Sequence, residues 1–125
     1  MVIKLKIYES AENYLETIYI LNKRNGSVRS IDIASELGYS KPSVSVAMKN
    51  LRANEMIEVN ADGTIVLLQK GLEIAERMYE RHTILCDFFV SLGVDENVAS
   101  EDACRIEHVL SHDSFSAIKK YMESK

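Results

Sequence analysis

The 125-residue sequence predicts a mainly α protein: an N-terminal winged helix-turn-helix with a two-stranded wing, followed by a helical second part. Three observations predict it. Two short amphipathic stretches flank a turn that contains Gly38. Two β-prone runs follow, separated by Asn60-Ala61-Asp62-Gly63, a hairpin signal. From Gln69 onward, apolar residues recur at helical spacing almost to the end of the chain.

The first helix is expected over Ser10 to Lys23, where Tyr14, Leu15, Ile18 and Leu21, with nearby Tyr19, share one face. Asn25-Gly26 ends it. Ser30 is a cap candidate for a second helix with apolar positions Ile31, Ile33, Ala34 and Leu37, and Gly38 stops it. Ser40 is the cap candidate for a third helix, with Pro42 tolerated in the first turn and Val44, Met48 and Leu51 facing inward. Met56–Val59 and Thr64–Leu68 are the wing strands. A long helix is expected from about Gln69 to Ser91, broken by Gly93. Asp95 to Ala99 reads as one short turn, Ser100 as the cap of a helix over Glu101 to Leu110, and Ser114 to Met122 as a last helix. The domain boundary is placed at 71/72: residues 1–71 carry the helix-turn-helix and its wing, and 72–125 form a helical domain.

With 46% hydrophobic and 27% charged residues, the chain reads as globular, and no apolar run approaches the roughly 20 residues that span a membrane. The start, MVIKLKIYES, lacks the pattern of a signal peptide, so the expected compartment is the cytoplasm. Cys86 and Cys104 are too few for a disulfide framework and are expected as thiols. The net charge of −4 argues against nucleic-acid binding only if the chain is uniform, and it is not. Lys41 to Arg52 holds three bases and no acid, whereas Asp95 to Asp113 holds six acids and one base. A basic stretch beside an acidic one suits phosphate contact in one place and cation binding in another.

The third helix is the expected DNA reader. Its start offers the hydroxyls of Ser40, Ser43 and Ser45 and the N–H groups of a helix N-terminus, near Pro42, while Lys41, Lys49 and Arg52 add positive charge. The wing tip lacks Lys and Arg, so it is expected to contribute little. Used only for packing, the same helix pair would carry no such function.

In the acidic segment, Cys104, Glu107 and His108 stand at i, i+3 and i+4, which would put thiolate, carboxylate and imidazole on one helix face. His82 is a fourth candidate, with Cys86 one turn further along. Asn13 and Glu16, also i and i+3, are candidates on the first helix. Each alone is an ordinary surface or core residue. No nucleophile elbow, HExxH, CxxC or Gly-rich phosphate loop occurs, so no enzyme is expected.

The stretches Glu12-Asn13-Tyr14-Leu15-Glu16-Thr17-Ile18-Tyr19, Asp32-Ile33-Ala34, Ser40 to Ser45, Arg81-His82 and Asp102 to Ser111 resemble the diphtheria-toxin-repressor family of iron- and manganese-responsive repressors. The resemblance implies a homodimer whose operator binding is switched on by a divalent ion. It matches Cys104, Glu107 and His108 to metal ligands and His82 to the His of a neighbouring site. Cys86 falls where relatives often carry a Glu ligand, Asn13 replaces a Met or Asp ligand, and Glu16 matches a carboxylate of the manganese branch. Cys104 resembles the iron branch, and a thiolate favours Fe²⁺ over Mn²⁺, so Fe²⁺ is the favoured ion and Mn²⁺ the other. The expected partner is a palindromic double-stranded operator. The expected dimer surface uses Phe88, Phe89, Val109, Leu110, Phe115 and Ile118, which would otherwise be intrachain core. The alternative function is a thiol-based redox regulator using Cys86 and Cys104.

Overall fold

The computed structural model describes the backbone of residues 2–125 and the side chains of residues 9–125. In chain order the elements are α1 (Val2–Asn25), α2 (Ser30–Leu37), α3 (Lys41–Ala53), β1 (Ile57–Val59), β2 (Ile65–Leu67), α4 (Gln69–Ser91), α5 (Glu96–Ile106) and α6 (His112–Glu123). The chain divides into two compact units, Met1–Glu76 and Arg77–Lys125, and the division falls within α4.

The first unit is a winged helix-turn-helix. Tyr14, Leu15, Ile18 and Leu21 of α1 pack in one core with Ile33 and Ala34 of α2 and with Val44, Met48 and Leu51 of α3. α1 begins eight residues before the expected start. Nothing from Val2 to Glu9 is a Gly or Pro, so helical propagation continues through a stretch without a clear apolar face. The cap of α2 is Arg29 rather than Ser30. The Asp32 carboxylate accepts the Arg29 N–H at 2.9 Å, which leaves Ser30 as the first helical residue. Gly38 takes φ +68°, the left-handed geometry that closes α2. Two residues on, the Ser40 hydroxyl accepts the Ser43 N–H at 3.3 Å and opens α3.

The wing pairs antiparallel in the register Ile57↔Leu67, Glu58↔Val66 and Val59↔Ile65. Ile57 and Ile65 are buried while Glu58 and Val66 are exposed, the alternation a half-buried strand requires. At the tip, Asp62 accepts from the Thr64 N–H (3.0 Å) and hydroxyl (2.7 Å). Gly71, in the first turn of α4, is buried, and a Cβ there would overlap the Met56 carbonyl oxygen.

In the second unit, the two helices expected around Ser100 are one. α5 is capped by Asp95, whose carboxylate accepts the Asn97 N–H at 3.1 Å, and Ser100 lies inside it. It ends at Ile106, not Leu110, and a turn follows. Ser111 then caps α6 by accepting the Ser114 N–H at 3.1 Å, so this helix starts at His112 rather than Ser114. Met78, Leu85, Ala99, Ala103 and Phe115 are buried. Of the residues expected on a dimer surface, Phe115 is therefore interior, whereas Val109 is exposed. Phe88 meets Tyr121 edge to face, with ring centroids 6.1 Å apart. Among the described residues, no helix is long and apolar enough to cross a membrane.

Candidate metal centre and nucleic-acid face

Val44, Met48 and Leu51 turn one face of α3 into the core, and the helical period sends the remainder outward. Ser40, Lys41, Pro42, Ser43, Ser45, Lys49 and Arg52 are all exposed. Ser40 and Ser43 share a hydroxyl-to-hydroxyl hydrogen bond of 2.9 Å, so the N-terminal serines serve as cap and outer face together. Beside them lies an open groove of ≈ 540 Å³ lined by Ser30, Ser45, Lys49, Arg52 and the wing residue Val59. A second recess of ≈ 280 Å³ meets Ser30, Ile31, Lys41 and Ser45. Ser30 escaped the sequence reading because serine before an apolar run signals a cap. The signal that places it otherwise is Asp32, which caps from the other direction. The wing tip is acidic: the Thr64 N–H and hydroxyl, followed by weaker attraction from Arg29, hold the Asp62 carboxyl below its usual range.

The metal-ligating candidates of the second unit start from the buried stripe of α5. Ala99 and Ala103 are fully buried at i and i+4, and the next position on that stripe is Glu107. Glu107 keeps helical backbone angles (φ −59°, ψ −29°) and donates its N–H to the Ala103 carbonyl at 3.0 Å. Its carboxylate is thereby delivered into the interior with 0% exposure. His82 Nδ1 lies 3.3 Å from one carboxylate oxygen and His108 Nε2 lies 3.4 Å from the other. Neither oxygen accepts a hydrogen bond. The far nitrogen of His82 faces the Ser100 hydroxyl at 3.4 Å.

Cys104, Glu107 and His108, expected within one helix, differ in placement and exposure. α5 ends before Glu107, His108 stands in the following turn, and Cys104 is exposed where Glu107 is buried. Cys86 is half-buried one turn beyond His82. Burial, then the charges of Asp87 and Glu96, push its thiol pKa up. A raised thiol pKa opposes thiolate reactivity at Cys86, and the two cysteines form no disulfide, so the redox alternative finds no support. In the first unit, Glu16 of α1 is buried, and Asn13 is half-buried with its carbonyl accepting the Thr17 hydroxyl at 2.8 Å.

A dry carboxylate without hydrogen bonds, faced by two imidazole nitrogens, is costly as it stands and fits a divalent first-row ion. Sequence reasoning also missed Arg81, named only as part of a motif. It is buried, and its Nη1 donates to the carbonyl oxygens of Glu107 at 3.0 Å and Leu110 at 2.6 Å. Its guanidinium lies over the Phe115 ring, 5.1 Å from the centroid.

Comparison with known proteins agrees with this division of labour. Residues 6–65 match the N-terminal DNA binding domain of iron dependent repressors. Residues 68–124 match their metal binding and dimerisation domain. An HTH-type transcriptional regulator of Methanocaldococcus jannaschii is 33% identical over 117 residues, covering 92% of this chain and 94% of that protein. The transcriptional regulator MntR of Escherichia coli is 31% identical over 115 residues, covering 92% of this chain and 74% of MntR. Among solved structures, the manganese regulator SloR superposes with a TM-score of 0.80 at 25% identity, covering 92% of this chain and 54% of SloR. IdeR of T. acidophilum shares the fold with a TM-score of 0.79 at 24% identity, covering 90% of this chain and 53% of IdeR. The chain thus spans about half the length of these two structures. On the two domain matches and the full-length similarity, the chain belongs to the diphtheria-toxin-repressor family of metal-dependent transcriptional repressors.

Proposed function

We propose that this protein represses transcription by binding a palindromic operator as a homodimer when it is loaded with Fe²⁺ or Mn²⁺. The observation that carries the metal part is the Glu107 carboxylate, fully buried, without hydrogen bonds and faced by His82 and His108. The proposed ligands are Glu107, His108 and His82, with Cys104, Cys86, Asn13 and Glu16 joining them on the family resemblance. A bound divalent ion supplies positive charge and fixed geometry to these donors. The Cys104 thiolate favours Fe²⁺, while the carboxylates and the likeness to a manganese regulator favour Mn²⁺. Residues 1–71 are proposed as the DNA-binding domain and 72–125 as the metal-binding and dimerisation domain. The cytoplasm is the proposed compartment.

The proposed DNA contacts are Ser40, Lys41, Pro42, Ser43, Ser45, Lys49 and Arg52, all exposed on or at the start of α3. In a dimer, two such readers about one helical turn apart fit the two halves of a palindrome. Metal binding reduces the negative charge of the acidic segment, which eases approach to DNA. Linkage requires that operator DNA tighten metal binding by the same factor. Gel shifts with the upstream DNA of the protein's own gene, with Fe²⁺ under anaerobic conditions, with Mn²⁺ and after chelation, test the proposal. Metal-dependent retardation is expected, and equal binding after chelation would sink it.

A further inference from the structure

We propose that Arg81, seated on the Phe115 ring, is a positioning residue for the metal ligands: it pins the Glu107–Leu110 turn so that Glu107 and His108 face a common point. The inference rests on the metal reading of these two side chains and adds a residue that no donor-based search would choose, because a guanidinium cannot ligate a cation.

The geometry is specific. α5 ends at Ile106, so His108 has no helix to hold it. The Glu107 and Leu110 carbonyls flank His108, and one Arg81 nitrogen reaches both, at 3.0 and 2.6 Å. Arg81 and His82 are successive residues of α4, and both address the same turn. Arg81 holds its backbone, and His82 stands 3.3 Å from its buried carboxylate. Arg81 is 8% exposed, and its Nε finds no hydrogen-bond partner. A charged group is buried in this way only where its remaining bonds are well placed. The Phe115 ring beneath it fixes the plane of the fork through a cation–π contact.

The experiment is a titration of the full chain with Co²⁺ alone, read by its visible d–d absorption, beside circular dichroism of the metal-free protein. Arg81→Met should keep the helical signal, lose on the order of tenfold or more in Co²⁺ affinity, and shift the d–d bands, since supporting partners of ligands carry such effects. Arg81→Lys, which still offers a donor to the two carbonyls, should recover much of the affinity. A folded Arg81→Met protein with the parent's affinity and spectrum would overturn the proposal. Should Arg81→Met fail to fold, Phe115→Leu decides, because it removes the ring and leaves the donors. A shifted d–d spectrum supports the assignment, and a parental spectrum with parental affinity overturns it. If the unaltered chain takes up no Co²⁺, the metal reading itself fails, an outcome distinct from parental behaviour in the variants.

Discussion

The interiors of the two units are made of different materials. In the first, thirteen buried apolar residues form one cluster, and the cations of α3 stay outside it. Buried Thr17 there has its hydroxyl bonded to the Asn13 carbonyl. In the second, buried Met78, Leu85, Ala99, Ala103 and Phe115 share the interior with ionisable groups: Arg81, Glu107 and the nearly buried ring of His108. Removing a carboxylate from water without hydrogen bonds costs about 1–3 kcal/mol or more. The apolar cluster of the first unit therefore stands on hydrophobic burial, with Glu16 of α1 the buried carboxyl group among its described residues. The second carries a charge whose natural complement is a cation, and that is the expected signature of a sensor.

The comparison breaks most readily at Glu107. Glu107→Gln keeps the volume and removes the charge. Its metal affinity should fall by at least about 100-fold, since even supporting partners account for 10–100-fold. Its metal-free form should melt no lower than the parent's. In the parent, saturating metal at 100 times Kd should add about 2.7 kcal/mol of stability, and the variant should gain none. Calorimetric titration and thermal unfolding with and without Mn²⁺ measure both, and a variant that still gains stability from Mn²⁺ would refute the assignment.

The first core is tested at Gly71. Adding a methyl group there drives it into the Met56 carbonyl, a backbone atom that cannot swing aside. Gly71→Ala should destabilise the protein by about 1–3 kcal/mol in urea unfolding. No loss would mean that α4 is not seated as tightly as the geometry requires.

Next come the exposed cations. Lys49→Ala and Arg52→Ala should leave unfolding curves within about 0.5 kcal/mol of the parent. Each should weaken binding to operator and to unrelated DNA by a similar factor, because phosphate contacts carry no sequence information. Loss confined to the operator would instead place that side chain on a base.

The smallest effect is at the wing. Asp62 has its pKa lowered, from 3.8, by Thr64. The contact is therefore fully formed above the unfolded carboxyl pKa and is lost only as pH falls through the lower folded value. The amide resonance of Thr64 should titrate with a midpoint below 3.8, and a midpoint at or above it would remove the hydrogen bond from the account.

Local chemistry made much of this legible. Gly38, Ser40 and Pro42 mark the turn and the start of α3 within five residues, and the hairpin residues sit between two short apolar runs. Gln69 to Ser91 carries an unbroken helical period, and α4 has those bounds. α5 was less legible because Ser100, a cap candidate, lies inside a helix that Asp95 caps, and its buried stripe is built from alanines, which give a weak hydrophobic signal. The spacing of Cys104, Glu107 and His108 does not disclose that the helix stops at Ile106, or that Glu107 is buried while Cys104 is exposed. Arg81 was not legible as a positioning residue at all, since its partners lie 26 and 29 residues away.

The acidic tip of the wing has a consequence for how binding responds to ionic strength. Each phosphate neutralised on duplex DNA releases bound counterions and adds about 0.9 to the slope of log affinity against log salt. α3 offers three cations, Lys41, Lys49 and Arg52, while Asp62 at the wing tip carries the sign of the phosphates. A reader built this way should show a shallow slope, near 3 or less per half-site from this helix. Its grip on random chromosomal DNA is correspondingly loose, which leaves more of the discrimination to the serine-rich start of the helix.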